Sequence, residues 1–164
     1  MSQTLQYLQS DAAESGLEAG TLVQCLLSDA IKAGASDIHI EPWENTLVVR
    51  VRLNGVLSEL IHLPLDVMER ISGRVKVMAD LVSYQNNLPQ EGHATAGPEL
   101  GNVELRVSVF PTVRGEKIVI RLFDPSNRSF DLAGLGFEEK TLKTFLKLLA
   151  SPSGLILLTG PTGS

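Results

Sequence analysis

The chain has 164 residues, enough for one ordinary domain or a small domain with leading and trailing pieces. Its 43% hydrophobic and 20% charged residues are a globular composition, and a net charge of −5 speaks against a general nucleic-acid binder, which needs a basic field. A single cysteine, Cys25, excludes an internal disulfide and a cysteine-cluster metal site. With no stretch near the ~20 apolar residues of a bilayer span and no signal-peptide pattern, a cytosolic location is expected.

Residues 1–20 are small and polar without a sustained period, and read as a poorly tethered leader. From Thr21, a candidate N-cap, Leu22, Leu26, Leu27, Ala30 and Ile31 recur as on an amphipathic helix that packs Cys25, and Gly34 stands where a left-handed C-cap belongs. Asp37-Ile38-His39-Ile40-Glu41 alternates as a half-buried strand stopped by Pro42, with Trp43 as a packing anchor. Residues 46–53 alternate again, Asn54-Gly55 is a strong hairpin signal, and 56–63 supplies the returning strand. A second helix opens at Pro64 or Leu65 with Val67, Ile71, Val75 and Met78 in phase; Arg70, Arg74 and Lys76 read as its solvated face.

Residues 80–100 read as a long loop with a short strand around Ala94. Strands over 102–110 and 116–123 follow, joined by Pro111 to Gly115. A linker comes next, then a helix over 137–150 with Leu142, Phe145, Leu146 and Leu149 in phase. Strands joined by short hairpins, with helices grouped on the sheet, belong to the α+β class.

The last ten residues, LILLTGPTGS, read as a buried strand breaking into a glycine-rich loop. This is the layout of a P-loop, in which backbone N–H groups at a helix start face phosphate oxygens. Of G-x-x-x-x-G-K-[ST], only Gly160, Pro161, Thr162, Gly163 and Ser164 are present. The sequence is therefore expected to be a fragment that leads into a nucleotide-binding domain.

Alternation places Val103, Leu105, Val107 and Val109 with Ile118, Ile120 and Leu122 on one face of the second hairpin. It places Arg106 and Arg121 close to opposite each other on the second face, with Glu104, Ser108, Lys117, Val119 and Phe123. Like charges there destabilise a pair unless something negative sits between them. Either Glu104 makes this a surface ion-pair cluster, or both guanidiniums await a phosphate, which a neighbouring phosphate loop favours. Asp37, His39 and Glu41 share one face, as a metal site, an acid/base set or the polar side of a sheet; the last produces such strings far more often. His62 and His93 are isolated.

The segments ASDIHIEP (35–42), RVRLNGVL (50–57), LPQEG (88–92), ELRVSVFPTVRGEKIVIRLFD (104–124) and GLILLTGPTGS (154–164) resemble the secretion ATPases of type II secretion and type IV pilus assembly. The likeness runs from about Thr21 to Ser164. It implies a PAS-like N-terminal domain over 21–124, an interdomain linker over 125–136 and the start of a RecA-like ATPase domain over 137–164. It further implies ATP and Mg2+, a homohexamer, and work at the cytoplasmic face of the bacterial inner membrane with platform proteins of the secretion or pilus machinery. By the same resemblance Arg106 and Arg121 match the arginines that reach the nucleotide phosphates, and residues 160–164 match the start of the phosphate loop. Two positions depart from the family's usual pattern, Asn54 for Asp and His93 for Arg. The full-length protein is expected to be an ATPase and this fragment alone inactive; the alternative is a module that only docks and assembles. A PAS-type small-molecule sensor rests on fold analogy alone.

Overall fold

The computed structural model describes residues 2–10, 16–123 and 132–160. Its elements are α1 (Gln3–Leu8), α2 (Ala19–Lys32), β1 (Asp37–Pro42), β2 (Leu47–Leu53), β3 (Val56–Leu63), α3 (Met68–Met78), β4 (Gln90–Thr95), β5 (Glu104–Thr112), β6 (Gly115–Phe123) and α4 (Glu139–Leu149). The strands form one six-stranded antiparallel sheet in the order β3-β2-β1-β6-β5-β4. Two three-stranded meanders thus meet along the seam between β1 and β6, and the α+β class expected from the pattern is what the chain forms.

Local chemistry explains the turns. Asn54 and Gly55 take φ of 49° and 82°, the left-handed pair that closes a two-residue hairpin between β2 and β3. The second hairpin is tighter than the spacing predicts, because β5 runs on through Pro111 to Thr112. Proline is tolerated there because β4 pairs with β5 only as far as Val109, leaving that outer edge of Pro111 with no ladder bond to lose. The strand expected near Ala94 is β4.

The inward alternates Ile38, Ile40, Leu47, Val49, Val51, Leu105, Val107, Val109, Ile118, Ile120 and Leu122 are buried with Leu22, Leu26, Leu27 and Ala30 of α2 and Ile71 and Val75 of α3. These two helices cover one face of the sheet. Helix α2 starts earlier than Thr21: the Glu18 carboxylate is its cap, accepting from the backbone N–H groups of Gly20 (3.0 Å) and Thr21 (2.6 Å). The stretch expected to be a leader contains α1, which docks on α2. There the Asp29 carboxylate accepts from Gln3 N (2.7 Å), Thr4 N (2.9 Å) and the Thr4 hydroxyl (2.6 Å), capping α1 from a neighbouring helix.

Two glycine and lysine positions hold the long β3–β4 connection down. A Cβ on Gly92 would lie 2.3 Å from Ala79 O, so only glycine lets β4 pass under the end of α3. Lys76, expected on a solvated face, is instead fully buried. Its Nζ lies 2.7 Å from Glu116 Oε1 in an ion pair, and donates to Gln85 O (2.8 Å) and Asn86 Oδ1 (2.7 Å). The Ser72 hydroxyl donates to the other Glu116 oxygen. Two hydrogen bonds and the opposite charge of Glu116 thereby accommodate the ammonium, which is what a buried lysine requires.

Helix α4 forms where expected, with none of its residues buried. Residues 155–158 do not form a strand: they are exposed and unpaired in any ladder among the described residues. A strand exists only through its neighbours, and none of the described strands pairs with these residues. Of the linker expected over 125–136, residues 125–131 lie outside the described residues, as do 161–164 of the expected phosphate loop.

Lys76→Met should destabilise the chain by about 3 kcal/mol, because it strands Glu116 as a buried unpaired charge. Adding Glu116→Leu should recover most of the loss. Urea denaturation of the single and double variants checks this, and a double variant no better than the single one contradicts it.

Candidate functional site

The outward alternates of the six strands form the second face of the sheet, and register alone lines them up in rows. His93 of β4 stands opposite Arg106 of β5, Arg106 opposite Arg121 of β6, Arg121 opposite Asp37 of β1, and Asp37 opposite Arg52 of β2. The expectation that Arg106 and Arg121 face each other is therefore met. The expected neutraliser is different. Glu104 stands opposite Phe123 and Thr95 instead, and the carboxylate in contact with the pair is Asp37.

Asp37 is 4% exposed and bridges two strands. Its Oδ1 accepts from Arg121 Nε at 3.0 Å, and its Oδ2 lies 3.2 Å from Arg52 Nε and accepts from the Ser36 hydroxyl at 2.8 Å. Burial raises its pKa, but the Ser36 hydroxyl and the two guanidiniums more than offset that and hold the group below its ordinary value, hence ionised. Arg52 also donates to Gly55 O at 3.1 Å, which ties it to the hairpin turn. The Arg121 side chain remains 55% exposed. Arg106 lies with its guanidinium carbon 5.5 Å from the centroid of the Phe123 ring, a cation–π contact.

Beside Arg106 opens a cavity of about 600 Å³ lined by His93, Thr95, Glu104, Arg106 and Phe123. His93, read from sequence as isolated, is a wall of it. Its position directly across from Arg106 was legible only once β4 was paired with β5, because a six-residue strand inside a long loop carries little period of its own. Chemically the place offers two guanidinium forks of like charge on a rigid sheet, one partly exposed and one bordering a cavity. That arrangement suits an anion carrying several oxygens.

The Asp37, His39, Glu41 triplet is on one face, as alternation requires. Its carboxylates are already taken up. Glu41 repeats the Asp37 arrangement one turn of the pleat away, with Lys117 Nζ of β6 at 2.7 Å and a short contact to Arg50 of β2. Among the described residues no group of three or more His, Cys, Asp and Glu side chains converges as metal ligands would. Between the two clamps, both ring nitrogens of His39 are buried without hydrogen-bond partners among the described residues. Burial pushes its pKa below the ordinary value; Glu41 and Asp37 pull it up, while Lys117 and Arg52 push further down. At the far end, Trp43 packs edge-on to His62 with centroids 6.5 Å apart and takes the Arg50 guanidinium over its ring. Trp43, expected as a packing anchor, is instead 42% exposed. Gly160, the one described residue of the expected phosphate loop, is exposed and in no regular element.

The family model described as type II/IV secretion system protein matches residues 13–164. The type IV pilus assembly ATPase PilB of Myxococcus xanthus is 44% identical over 144 residues, which is 87% of this chain and 25% of that protein. The type II secretion system protein E of Xanthomonas campestris pv. campestris is 43% identical over 143 residues, again 87% and 25%. The crystal structure of the ATPase DotB of Yersinia pseudotuberculosis aligns with a TM-score of 0.48 at 23% identity, covering 77% of this chain and 35% of that one. This chain spans about a quarter of the length of the curated relatives it matches. No helix among the described residues is long and apolar enough to cross a membrane.

His39 sets a sign for the pH dependence of stability. Its folded pKa is depressed, so as pH falls below about 6.5 the unfolded chain takes up the proton first and stability is lost. His39→Phe keeps a ring of similar shape and removes the titration. Denaturation at pH 7.5 and 5.5 should show a smaller loss for the variant than for the unsubstituted chain; equal losses assign the dependence to other groups.

Proposed function

This chain belongs to the type II/IV secretion system protein family, and from that premise we propose that it is the part of a secretion or pilus ATPase that carries arginines to the nucleotide phosphates. The relatives it matches are named as ATPases of pilus assembly and type II secretion. In this reading Arg106 and Arg121 neutralise charge on the β- and γ-phosphates of ATP when the sheet domain closes on the phosphate loop. The observation that carries it is the pair itself: two guanidiniums opposite each other across β5 and β6, with Asp37 the one carboxylate in ion-pair contact with either among the described residues, beside an open cavity. With Asp37 balancing only one of the two charges, the pair retains a net positive charge that favours a visiting anion.

Phosphoryl transfer needs little covalent help from protein, and its catalysis is mostly positioning and charge stabilisation. A planar fork on a strand in mid-sheet is well placed for both. Residues 160–164 would begin the loop that cradles the phosphates through backbone N–H groups. Of the full motif G-x-x-x-x-G-K-[ST], residues 160–164 match the first five positions. Magnesium would be bound by the motif's hydroxyl and would draw charge from the phosphate oxygens. Subunits are proposed to assemble as a homohexamer at the cytoplasmic face of the inner membrane, against platform proteins of the secretion or pilus machinery. Movement of the sheet domain relative to the nucleotide domain would couple hydrolysis to that machinery.

The competing reading, an assembly module with no part in chemistry, predicts a different outcome. In the full-length protein, Arg106→Ala with Arg121→Ala should leave ATP binding and folding intact and lower turnover by about 10²–10³-fold. Steady-state hydrolysis alongside nucleotide-binding titration separates the two. Unchanged turnover with an intact fold leaves the arginines as surface charges and the domain's role as assembly.

A further inference from the structure

The ASDIHIEP segment contains no group that touches the cavity, yet it supplies the one carboxylate of the arginine row. Asp37 is the only described residue that contacts Arg121 through an ion pair, and it does so by a single edge, Oδ1 to Nε at 3.0 Å. Holding a guanidinium by Nε fixes the plane and direction of the side chain while leaving its two terminal amino groups for another partner. The holder is itself fixed, buried to 4% exposure and gripped from the other side by Arg52 and Ser36. It also supplies the negative charge that lets Arg121 lie directly opposite Arg106.

We propose that Asp37 is a positioning residue for Arg121: bridging Arg52 and Arg121 across β1, it presents the terminal fork of Arg121 to the anion that Arg121 and Arg106 receive. The inference rests on the phosphate reading given above and goes further, because it assigns a role to the first acidic residue of ASDIHIEP. The chain also contains its own control. Glu41, two residues on, makes the same kind of bridge between Arg50 and Lys117 at similar burial, but Lys117 stands opposite Phe110 rather than opposite a second arginine. If Asp37 were there only to hold the sheet together, the two carboxylates would be equivalent.

The test compares Asp37→Asn, Glu41→Gln, Arg121→Ala and the double Asp37→Asn, Arg121→Ala variant in the full-length protein, reading thermal midpoint, KM for ATP and kcat. Asn keeps the shape of Asp and loses the charge. The expected result is a fall in kcat of about 10- to 100-fold for Asp37→Asn, little change in kcat for Glu41→Gln, and comparable shifts in midpoint for both. On the Arg121→Ala background, Asp37→Asn should lower kcat no further. Should Asp37→Asn not fold, Asp37→Glu retains the charge but moves it by one methylene, and should lower kcat several-fold with a midpoint near that of the unsubstituted protein. Equal losses of kcat for Asp37→Asn and Glu41→Gln overturn the proposal. So does a collapse of turnover in Arg121→Ala with none in Asp37→Asn or Asp37→Glu, which leaves the phosphate reading standing. An unchanged kcat in Arg121→Ala overturns both.

Discussion

The carboxylate of Asp37, between Arg121 on one side and Arg52 on the other, is the contact on which the arrangement of the sheet's second face depends. Residues 37 and 121 are distant in the chain and meet only because β1 and β6 pair. That seam joins two meanders that otherwise have no strand in common. Along it the backbone ladder continues past the strand ends, with Leu122 N donating to Ser36 O and Ser36 N to Arg52 O. Hydrogen bonds and ion pairs therefore cross the same line. A register slip of one residue would turn Asp37 inward and set Ile38 against the arginines, so charge and apolar pattern enforce one alignment together.

The two faces use one rule in opposite surroundings. On the helix-covered face a single buried ammonium, Lys76, is allowed because two oxygens accept from it and Glu116 balances its charge, and the result is a long connection pinned onto α3. On the other face Asp37 and Glu41 are buried as carboxylates because each meets two cations, and the result is a set of cations held at fixed height above the sheet. His39 between them has no partner among the described residues, so its neutral form is the one the fold favours. Adding a proton there would place a third kind of cation between two carboxylates already committed to others. Neutral His39 keeps the two bridges independent of each other.

Most of the sheet could be read from the chain. Strict alternation gave both hairpins, and it placed Arg106 against Arg121 because a two-residue period leaves no other choice once the apolar alternates must share a core. What alternation within one hairpin cannot give is the identity of the strand beyond it. Asp37 was visible as the start of an alternating run, and Arg121 as the end of another, but the pairing of β1 with β6 is a long-range fact. Lys76 was misread for a different reason, and its partner Glu116 was not singled out. Lys76 lies eight residues after Met68 and four after Ser72, inside the buried stripe of α3, and Glu116 is in phase with Ile118 and Ile120. The period marks both as inward, and for Lys76 charge was allowed to outweigh it. Two opposite charges that both fall on inward phases are a signal for a buried pair.

Residues beyond the sheet stand under a different physical condition. The sheet closes its own core, with α2 and α3 over the apolar alternates and bridged charges over the polar ones. In α4 and after it, Phe137, Leu146, Leu148, Leu149 and residues 155–158 are exposed together, with Phe137 stacked on Phe145 at 5.7 Å as the only aromatic contact described there. So much contiguous apolar surface is stable only when other protein covers it. An apolar run such as LILL becomes a strand only where partners supply its backbone bonds. The sheet is thus complete by its own contacts, and the segment over 155–158 is not.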